Sequence, residues 1–421
     1  MATAALWLYR TVMVVLLPIL APWLLIAYRR RRRDGLSLRQ RLGWGLPEVQ
    51  TGGVWVQAVS VGEVAAARSI LAELRRRRPE MPLILSATTA TGLQMASGHQ
   101  VADAVVAFPL DLSCAVRRFL ESVSPRVVVL LETELWPEML AQCGRRQIPV
   151  LVANARISDR SYRRYYAIRH LLRPLLRPVT VALAQEVKDA ERLAALGIPQ
   201  ERITVTGNVK FDASPPSAYP PLVGQVRETA HGRPIWVAGS TVAGEEELVL
   251  DAFLQLPSAT RPLLVLAPRH PERAADVDIL LAARGIPAVR RTQLGSPHAD
   301  VDVVLVDTVG ELASLFSGAL AAFIGGSLVS GGGHNPIEPA RYGVPVLTGP
   351  HVRNFEAVYH RFVEAGAAEV VHDSHELAAV LSSWLADREA AARVGAAGRE
   401  LLAANAGATA RIADAVEGFL R

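Results

Sequence analysis

The stretch AFIGGSLVSGGGHNPIEPARYGVPVLTGP, residues 322–350, decides the fold of the second half of this 421-residue chain. An apolar run from Leu320 to Ile324 predicts a short buried strand, and Gly325 and Gly326 follow it directly. Three more glycines, Gly331 to Gly333, come shortly afterwards. Glycine leaves the backbone N–H groups uncovered, so several of them can point into one concavity. The pattern therefore predicts a loop that binds a phosphate or a carboxylate.

A helix is predicted to begin immediately after this loop. Asn335 is a favoured N-cap residue, Pro336 suits the first helical position, and Glu338 has the spacing of a capping box. Gly343 ends the helix, and the apolar run Val344 to Thr348 forms the next strand. The unit is therefore strand, loop, helix and strand, with the partial positive charge of the helix N-terminus directed at the loop.

Two interpretations of Glu338 remain open at this point. The glutamate either only closes the capping box, which is a common local device, or it binds a ligand. A carboxylate at a helix start beside an anion-binding loop can accept hydrogen bonds from ribose hydroxyls while the loop holds the phosphate.

The composition is that of a globular protein of two or three domains, because the chain has 421 residues, 50% hydrophobic and 20% charged. The net charge is +5, but residues 1–41 hold eight arginines and one aspartate, a local +7 that leaves −2 for the rest. A slightly acidic body argues against nucleic acid as a partner. Only two cysteines occur, Cys114 and Cys143, and they lack metal-ligand spacing. So few cysteines exclude a disulfide framework and fit a reducing compartment.

The N-terminus contains a candidate membrane segment. Eighteen uncharged residues lie between Arg10 and Arg29, and they would span roughly 27 Å at about 1.5 Å per helical residue. Five arginines, Arg29 to Arg33, follow this run and predict that the body stays in the cytoplasm. We expect an uncleaved anchor with a basic flank in residues 1–33. An interfacial helix is the alternative, because the run is short and contains two prolines.

Apolar strands alternate with helices along the rest of the chain. Seven apolar runs lie between residues 54 and 206 and five between residues 235 and 347, separated by a proline-rich linker at 212–234. Runs this uniformly apolar are typical of parallel sheets covered on both faces. The sequence therefore predicts an α/β protein with two doubly wound parallel-sheet domains, 34–211 and 235–421. We expect them to face a cleft in which ligands bind at the carboxyl ends of the strands.

Glu63 lies at such a carboxyl end, in the segment Ser60-Val61-Gly62-Glu63 that turns from the first strand into a helix. Ser60 and Glu63 also have the spacing of a capping box, so a purely structural role stays open. A helix N-terminus lowers the pKa of a carboxylate, whereas a general base for a hydroxyl benefits from a pKa raised toward neutrality. Glu63 can therefore act as a base only if burial outweighs the effect of the helix.

Other polar loops in the first half follow strands in the same way. Glu132 and Glu134 follow the fourth strand, and Asn154 follows the fifth. The stretch 156–169 interleaves arginines with tyrosines, and it either binds an anionic amphiphile at the membrane side or forms a solvated helix face. Two Asp-x-Asp sequences, at 276–278 and 300–302, are too short a signal to support a metal site.

A series of motifs also runs through the whole chain in one order. It comprises the N-terminal apolar segment, Arg39-Gln40-Arg41-Leu42-Gly43, Ser60-Val61-Gly62-Glu63, Phe108-Pro109-Leu110-Asp111, Glu132 to Pro137, Asn154-Ala155-Arg156, Gly207-Asn208, Pro268-Arg269-His270-Pro271-Glu272-Arg273 and Gly332 to Glu338. Together these motifs resemble the 3-deoxy-D-manno-octulosonic acid (Kdo) transferases of lipopolysaccharide biosynthesis, which are membrane-anchored glycosyltransferases of the GT-B fold. No single motif is specific, but their number and order are.

The resemblance implies that Kdo is transferred from CMP-Kdo to the lipid A precursor, lipid IVA, with inversion and without a metal or other cofactor. In that family the glutamate that matches Glu63 is the base that deprotonates the acceptor hydroxyl. The family's CMP-binding segments match Pro268 and Arg269, Val309 to Glu311, and Asn335 to Glu338. On this basis 34–211 is the acceptor-binding domain and 235–421 the donor-binding domain.

The expected site residues fall into three groups. We expect Glu63 to be the catalytic base. We expect donor binding by Pro268, Arg269, Val309, Gly310, Glu311, Gly332, Gly333, Asn335, Pro336, Ile337 and Glu338, with Lys210 reaching the leaving phosphate. We expect acceptor binding by Arg156, Ser158, Arg163 and Arg164. Gln57, Phe316 and Leu320 depart from the family pattern, where His, Tyr and Asp are expected, and this concerns substrate preference more than the reaction.

Three other functions fit parts of the sequence. They are a membrane-associated GT-B transferase with a UDP-sugar donor, a sugar-nucleotide epimerase on the same double sheet, and an inactive scaffold that binds a nucleotide sugar. An epimerase needs neither a membrane anchor nor a lipid-facing basic patch, and a scaffold need not keep a carboxylate at position 63. We expect the protein at the bacterial inner membrane, with its catalytic body on the cytoplasmic side.

Overall fold

The computed structural model describes residues 4–16, 37–98, 102–212, 221–295 and 300–420. The chain forms two compact units. The first comprises Met1–Ala213 together with Asn405–Arg421, and the second comprises Ser214–Ala404. Each unit contains its own parallel sheet of seven strands, which confirms the predicted α/β class.

The sheet of the first unit has the strand order β3-β2-β1-β4-β5-β6-β7. Its strands are β1 (Val54–Ala58), β2 (Leu83–Ala87), β3 (Ala104–Ala107), β4 (Val127–Leu131), β5 (Val150–Ala155), β6 (Val179–Ala184) and β7 (Ile203–Val205). Val54 pairs in register with Leu83 on one side and with Val127 on the other. The order therefore reverses between β1 and β4, so this sheet has its topological switch point there.

Helices cover both faces of this sheet. They are α1 (residues 4–16), α2 (Leu38–Arg41), α3 (Val61–Arg77), α4 (Ala90–Ser97), α5 (Ser113–Val123), α6 (Pro137–Arg145), α7 (Asp159–Ala167), α8 (Arg169–Leu176) and α9 (Val187–Leu196). One face of the sheet packs around Trp55, Phe108 and Phe119, all fully buried. The opposite face packs against α3 and α4 through Val64, Ile70 and Leu93.

Helix α1 is docked on the first unit. Ala5 and Leu6 are buried, and the Tyr9 hydroxyl donates to Asp111 Oδ2 over 2.7 Å. Arg10 forms a two-bond pair with Glu138, at 2.7 and 2.9 Å. Most of the predicted membrane segment, residues 17–28 and the arginines that follow, lies outside the described residues. In the part of the chain that the structure describes, no helix is long and apolar enough to cross a membrane.

The sheet of the second unit has the strand order β10-β11-β9-β8-β12-β13-β14. Its strands are β8 (Ile235–Thr241), β9 (Leu263–Pro268), β10 (Ala288–Arg290), β11 (Val303–Leu305), β12 (Ala321–Ile324), β13 (Val346–Thr348) and β14 (Ala368–Val370). Its helices are α10 (Pro221–Ala230), α11 (Glu246–Gln255), α12 (Ala274–Ala283), α13 (Leu312–Leu315), α14 (Ile337–Ala340), α15 (Glu356–Glu364), α16 (Ser374–Ala386) and α17 (Arg388–Asn405). The switch point here lies between β8 and β12.

The predicted boundaries require two corrections. The C-terminal helix α18 (Ala408–Glu417) belongs to the first unit, although the sequence assigned residues 235–421 to one domain. Ile412 and Val416 are buried in the same core as α3, and Arg77 on α3 pairs with Asp414 at 2.5 Å. The proline-rich stretch 212–234 is not only a linker, because α10 within it belongs to the second unit and buries Leu222.

Two strands and one helix also differ from the sequence prediction. The three-residue strands β10 and β14 were not predicted, because each lies at an edge of the sheet with partly exposed residues and shows no apolar run. The helix after the glycine-rich loop was predicted to start at Asn335 and end at Gly343. It is the single turn α14, preceded by Pro336 as N-cap, so the helix dipole behind the loop is smaller than expected.

Candidate active site

One candidate site lies in the first unit, at the switch point of its sheet, around Glu63. Glu63 occupies the first turn of α3, directly after β1. Its backbone N–H donates to the Ser60 hydroxyl over 3.4 Å, and its own carboxylate accepts from the Val59 N–H over 2.8 Å and from the Ser60 hydroxyl over 3.0 Å. The capping arrangement therefore exists, and the Glu63 carboxylate also accepts from the Val59 N–H, one residue before the cap.

Burial decides the electrostatics of this glutamate. Glu63 is only 7% exposed, and this desolvation raises the pKa of its carboxyl above the ordinary value. The hydrogen bonds from Val59 and Ser60 oppose the increase, and the negative charge of Glu132 adds to it. The net effect is a raised pKa of Glu63. Burial therefore outweighs the effect of the helix N-terminus, as a general base at this position requires.

Glu132 and Glu134 extend the carboxylate cluster from the neighbouring strand, β4. Glu132 has a positive φ of 55°, a conformation that costs a non-glycine residue energy and is often found at functional sites. Burial, together with the charges of Glu63 and Glu132, raises the pKa of Glu134 to about 7. Three carboxylates thus influence one another at the carboxyl ends of β1 and β4, where α/β sheets bind their ligands.

A half-buried lysine, Lys210, accompanies these carboxylates. Burial lowers the pKa of Lys210, the charge of Glu132 opposes this decrease and the charge of Arg156 adds to it. The sequence placed Lys210 at the end of the first domain and expected it to reach the leaving phosphate. The structure places it in the first unit, where it interacts with Glu132 and Arg156. Its backbone N–H donates to Asn208 Oδ1 over 3.0 Å.

Sequence reasoning missed Gln185, which fixes the segment that carries Lys210. Its side-chain amide donates to the Asn154 carbonyl over 3.0 Å and accepts from Asn208 Nδ2 over 2.9 Å. Asn154, with a φ of 52°, in turn accepts from the Val209 N–H over 3.2 Å. Gln185 directly follows β6, and its position after an apolar run is the only sequence signal that would have indicated it.

The predicted acceptor residues divide into two groups. Arg156 follows β5 and acts on Lys210, and its carbonyl accepts a hydrogen bond from the Thr133 hydroxyl. Ser158 is the N-cap of α7 and accepts from the Ser161 N–H over 3.2 Å. Arg163 and Arg164 are exposed on α7. The structure therefore brings only Arg156 to the carboxylate cluster and leaves Arg163 and Arg164 on the surface of the first unit.

Asp111, which ends the motif Phe108-Pro109-Leu110-Asp111, has a structural role. Its carboxylate caps α6 by accepting from the N–H groups of Glu138 and Met139, at 2.9 and 2.8 Å, and it also accepts from Tyr9. Burial raises its pKa to about 6 against these hydrogen bonds. The Asp111 carboxylate therefore holds the start of α6 and contacts α1.

A separate candidate site lies in the second unit, at the glycine-rich loop after β12. The carboxylate of the fully buried Glu245 accepts hydrogen bonds from the N–H groups of Gly326, Ser327 and Leu328, at 2.6, 2.9 and 2.8 Å. The first half of the loop is thus the anion-binding concavity that the sequence predicted, but a side chain of the protein itself occupies it. Only the second half, from Val329 to Asn335, remains for a ligand.

The glycines of this second half are required by a neighbouring segment. Gly332 and Gly333 have φ values of 90° and 71°. A Cβ atom at Gly332 would lie 2.5 Å from Asn354 Nδ2, and one at Gly333 would lie 3.0 Å from Val352 Cα. Both glycines therefore allow the loop to pack against residues 352–354, a long-range reason that the local pattern does not show.

Asn335 and Glu338 interact through their side chains. Asn335 Oδ1 accepts from the Ile337 N–H over 3.2 Å, and Asn335 Nδ2 donates to Glu338 Oε1 over 3.3 Å. The predicted capping box, with Asn335 as N-cap, was wrong by one residue because Pro336 is the N-cap and forms no side-chain cap bond. Burial raises the pKa of Glu338, and the charges of Arg341 and Arg269 oppose the increase. Pro336 and Ile337 are buried.

Arg269 connects this group to the end of β9. It directly follows Pro268, the last residue of that strand, and its N–H donates to the Thr241 carbonyl over 2.8 Å. The pKa of the neighbouring His334 is lowered to about 4, mainly by burial and in addition by the charge of Arg269. His334 is therefore neutral at neutral pH. It was part of a quoted motif but was not predicted as a site residue.

The segment Val309 to Glu311 follows β11. Glu311 forms a two-bond pair with Arg291, both bonds at 2.7 Å, and accepts from the Thr308 hydroxyl, which together lower its pKa. Its carboxylate therefore holds the loop in place. Gly310 has a φ of 87°, and Val309 is 85% exposed, so the apolar side chain of Val309 is available to a ligand.

In the described ranges, no group of three or more His, Cys, Asp or Glu side chains has the arrangement of a metal site.

Comparison with known proteins identifies the family. The family model for 3-deoxy-D-manno-octulosonic-acid transferase (kdotransferase) matches residues 36–213. The chain is 36% identical over 374 residues to the 3-deoxy-D-manno-octulosonic acid transferase of Haemophilus influenzae, which covers 87% of each chain. This chain belongs to the Kdo transferase family. The Kdo transferase of Bordetella pertussis is 35% identical over 425 residues, covering 96% of this chain and 97% of that relative.

More distant solved structures show the fold of this Kdo transferase family member. UDP-GlcNAc 2-epimerase from Neisseria meningitidis, bound to UDP-GlcNAc, is 15% identical with a TM-score of 0.56, and covers 87% of this chain and 100% of its own. The glycotransferase of kitacinnamycin is 16% identical with a TM-score of 0.54, and covers 88% of this chain and 100% of its own. The GT-B-like double sheet is therefore shared across these different enzymes.

Proposed function

We propose that the protein is an inverting, metal-independent glycosyltransferase that moves Kdo from CMP-Kdo to a hydroxyl of the lipid A precursor, lipid IVA. The observation that carries this proposal is the buried Glu63, with its raised pKa, at the switch point of a chain that belongs to the Kdo transferase family. A carboxylate in this environment is a suitable base for an acceptor hydroxyl.

The reaction needs one base and one site for the leaving group. Glu63 takes the proton of the acceptor hydroxyl, the oxygen attacks the anomeric carbon of Kdo, and the bond from that carbon to the phosphate oxygen breaks. Attack opposite to the leaving group inverts the configuration. CMP leaves with the electron pair of the broken bond. In this proposal Arg269 and the N–H groups in the second half of the loop stabilise its charge, a role for which no metal is required.

The nucleotide would be held by the groups at the carboxyl ends of β9, β11 and β12. Glu338 is placed beside Asn335 and Arg269 and would accept from the ribose hydroxyls, and the exposed Val309 would contact the base. Gly332, Gly333 and Asn335 surround the phosphate in this arrangement. Lys210 lies with Glu63 in the first unit, so we now assign it to the carboxylate cluster.

Membrane association is the second part of the proposal. Helix α1 exposes apolar side chains, among them Trp7 at 60% and Val14 at 66%, and Ile168 and Leu171 are exposed on or next to α8. Arg163 and Arg164 lie on the adjacent α7. We propose that these surfaces place the protein at the cytoplasmic face of the inner membrane and that Arg156, Arg163 and Arg164 bind the anionic acceptor.

The deciding experiment mixes the purified protein with CMP-Kdo and tetraacylated lipid A precursor and measures product mass. We expect a gain of one or more Kdo units, no change with EDTA, and a rate lower by about 10² to 10⁴ with Glu63→Gln. A product formed from a UDP-sugar instead would favour the related transferase, and conversion of a nucleotide sugar without an acceptor would favour an epimerase. Flotation with vesicles containing or lacking anionic lipid tests the membrane part separately.

A further inference from the structure

A cavity of about 310 Å³ opens beside the second half of the glycine-rich loop. The loop contributes Ser330 and Gly332, and the segment after β13 contributes His351, Arg353 and Glu356. The cavity shares Ser330 and Gly332 with the part of the loop assigned above to the phosphate, but Asn335, Glu338 and Arg269 do not line it. The cavity nevertheless lies at the carboxyl ends of two adjacent strands, β12 and β13, where ligands of α/β sheets bind.

The walls of this cavity are fixed by hydrogen bonds between the loop and the segment after β13. The N–H of Asn354 donates to the Gly332 carbonyl over 2.8 Å, and the N–H of His351 donates to the Ser327 carbonyl over 2.9 Å. The Ser327 hydroxyl accepts from the Gly349 N–H over 2.8 Å. Because Ser327 is itself held by Glu245, the cavity is formed before any ligand arrives.

The charges on the wall indicate the chemistry of the ligand. Arg353 and Glu356 are both exposed, and within the described part of the chain neither has an ion-pair partner. A guanidinium presents parallel N–H donors that match a carboxylate, and a carboxylate accepts hydrogen bonds from sugar hydroxyls. A small ligand that bears both a carboxylate and several hydroxyls therefore complements this wall.

We propose that this cavity binds the acid sugar of the donor, with Arg353 pairing with the carboxylate of Kdo and Glu356 accepting from its hydroxyls. The inference rests on the proposed function, because it assumes that CMP-Kdo is the donor. It adds a specificity site: a CMP-sugar without a carboxylate would leave Arg353 unpaired, whereas the CMP moiety alone would bind equally well with or without this arginine.

The test separates the sugar from the nucleotide. We expect Arg353→Gln to raise the KM for CMP-Kdo at least tenfold, with kcat changed less than threefold, because the carboxylate is present in both the ground state and the transition state. The Kd of CMP, measured by calorimetry, should stay within twofold of wild type. Arg353→Lys keeps the charge without the two-donor geometry. Its KM for CMP-Kdo should lie between those of wild type and Arg353→Gln.

Matched controls come from the same unit. Arg393→Gln removes an exposed arginine on α17, and Glu364→Gln removes an exposed glutamate at the other end of the helix that begins with Glu356. We expect both controls to keep the wild-type KM, while Glu356→Gln raises it. An Arg353→Gln enzyme with an unchanged KM, or with CMP affinity reduced as much as the KM is raised, would overturn this inference alone. A wild-type enzyme that binds CMP but transfers no Kdo would instead overturn the proposed function.

Discussion

The Glu245 carboxylate accepts a hydrogen bond from the backbone N–H of Ser327 over 2.9 Å, and this contact joins the ends of β8 and β12 at the switch point of the second sheet. The neighbouring N–H groups of Gly326 and Leu328 donate to the same carboxylate. A fully buried charge is thus satisfied by backbone groups alone. The glycine-rich loop takes its shape from a glutamate about 80 residues earlier in the chain, before any ligand binds.

We therefore predict that Glu245→Gln weakens CMP binding at least tenfold and lowers the Tm. The amide has one acceptor oxygen, and its NH₂ group would face N–H donors, so some of these hydrogen bonds are lost. Each bond to a charged acceptor contributes about 1.5 to 3 kcal/mol. Calorimetric titration of CMP and thermal melting measure the two effects. Asp251→Asn, on the exposed side of α11, serves as the control, and equal behaviour of the two variants would contradict the role of Glu245.

Glu63→Gln should abolish most turnover while the protein stays folded. The amide oxygen can still accept from the Val59 N–H, and the Ser60 hydroxyl can accept from the NH₂ group, so the cap is kept. Loss of a general base typically costs about 10² to 10⁴ in rate. Burial disfavours the ionised form of Glu63. The uncharged glutamine should therefore give a Tm at neutral pH that is equal to or above that of wild type. Near-full turnover at saturating CMP-Kdo and acceptor would show that Glu63 only caps α3.

Glu134 gives the carboxylate cluster a pH signature. Its folded-state pKa is raised to about 7, so its contribution to stability is fully present below the ordinary pKa of a glutamate and is lost as pH rises through about 7. The glutamine in Glu134→Gln does not ionise, so the variant lacks this pH-dependent contribution to stability. We therefore predict that the variant becomes more stable relative to wild type between pH 5 and pH 8, by on the order of 2 kcal/mol. Chemical denaturation at several pH values measures this, with the exposed Glu121→Gln as control. A stability difference independent of pH would contradict the raised pKa.

The sequence predicted those features that depend on local patterns. The apolar runs identified most of the strands, and Glu63 was found because it directly follows one of them. Glu245 was missed, because its partners lie about 80 residues away and no local spacing indicates them. The return of α18 to the first unit was missed for a similar reason, since an alanine-rich amphipathic helix does not specify which core it covers. The helix at Asn335 was predicted too long, because Pro339 and Gly343 leave room for one turn only.

The structure helps to decide between the two interpretations of Glu338, ligand binding and helix capping. At the start of α14 the Ile337 N–H donates to Asn335 Oδ1, and Glu338 only accepts from Asn335 Nδ2 over 3.3 Å. We therefore predict that Glu338→Ala changes stability little and weakens CMP binding. Ribose contacts exist in both the ground state and the transition state, so turnover at saturating donor should fall less than donor affinity. Calorimetric titration of CMP beside thermal melting measures both quantities. A large loss of Tm with unchanged CMP affinity would assign Glu338 a structural role instead.

The ion pair between Arg10 and Glu138 allows a test of how firmly α1 is docked. The Glu138 side chain is 1% exposed, so Arg10→Met would leave a buried carboxylate without its cation. Breaking one side of a buried pair costs on the order of 3 kcal/mol of unfolding free energy. We expect a loss of this size at neutral pH, measured as a lower Tm. The double variant Arg10→Met, Glu138→Gln removes the orphaned charge and should recover much of the loss.

The same pair predicts a pH dependence of this loss. Hydrogen bonds from Arg10 and Gln142 outweigh burial and lower the pKa of Glu138, so the stabilisation is present above the ordinary pKa of a glutamate and is lost as pH falls through the folded-state pKa. The difference in Tm between wild type and Arg10→Met should therefore be full at neutral pH and shrink as the pH falls below the ordinary pKa of a glutamate. If Arg10→Met melted like wild type at pH 7, α1 would be a tether that the first unit does not need for its stability, and deleting it would leave the fold intact.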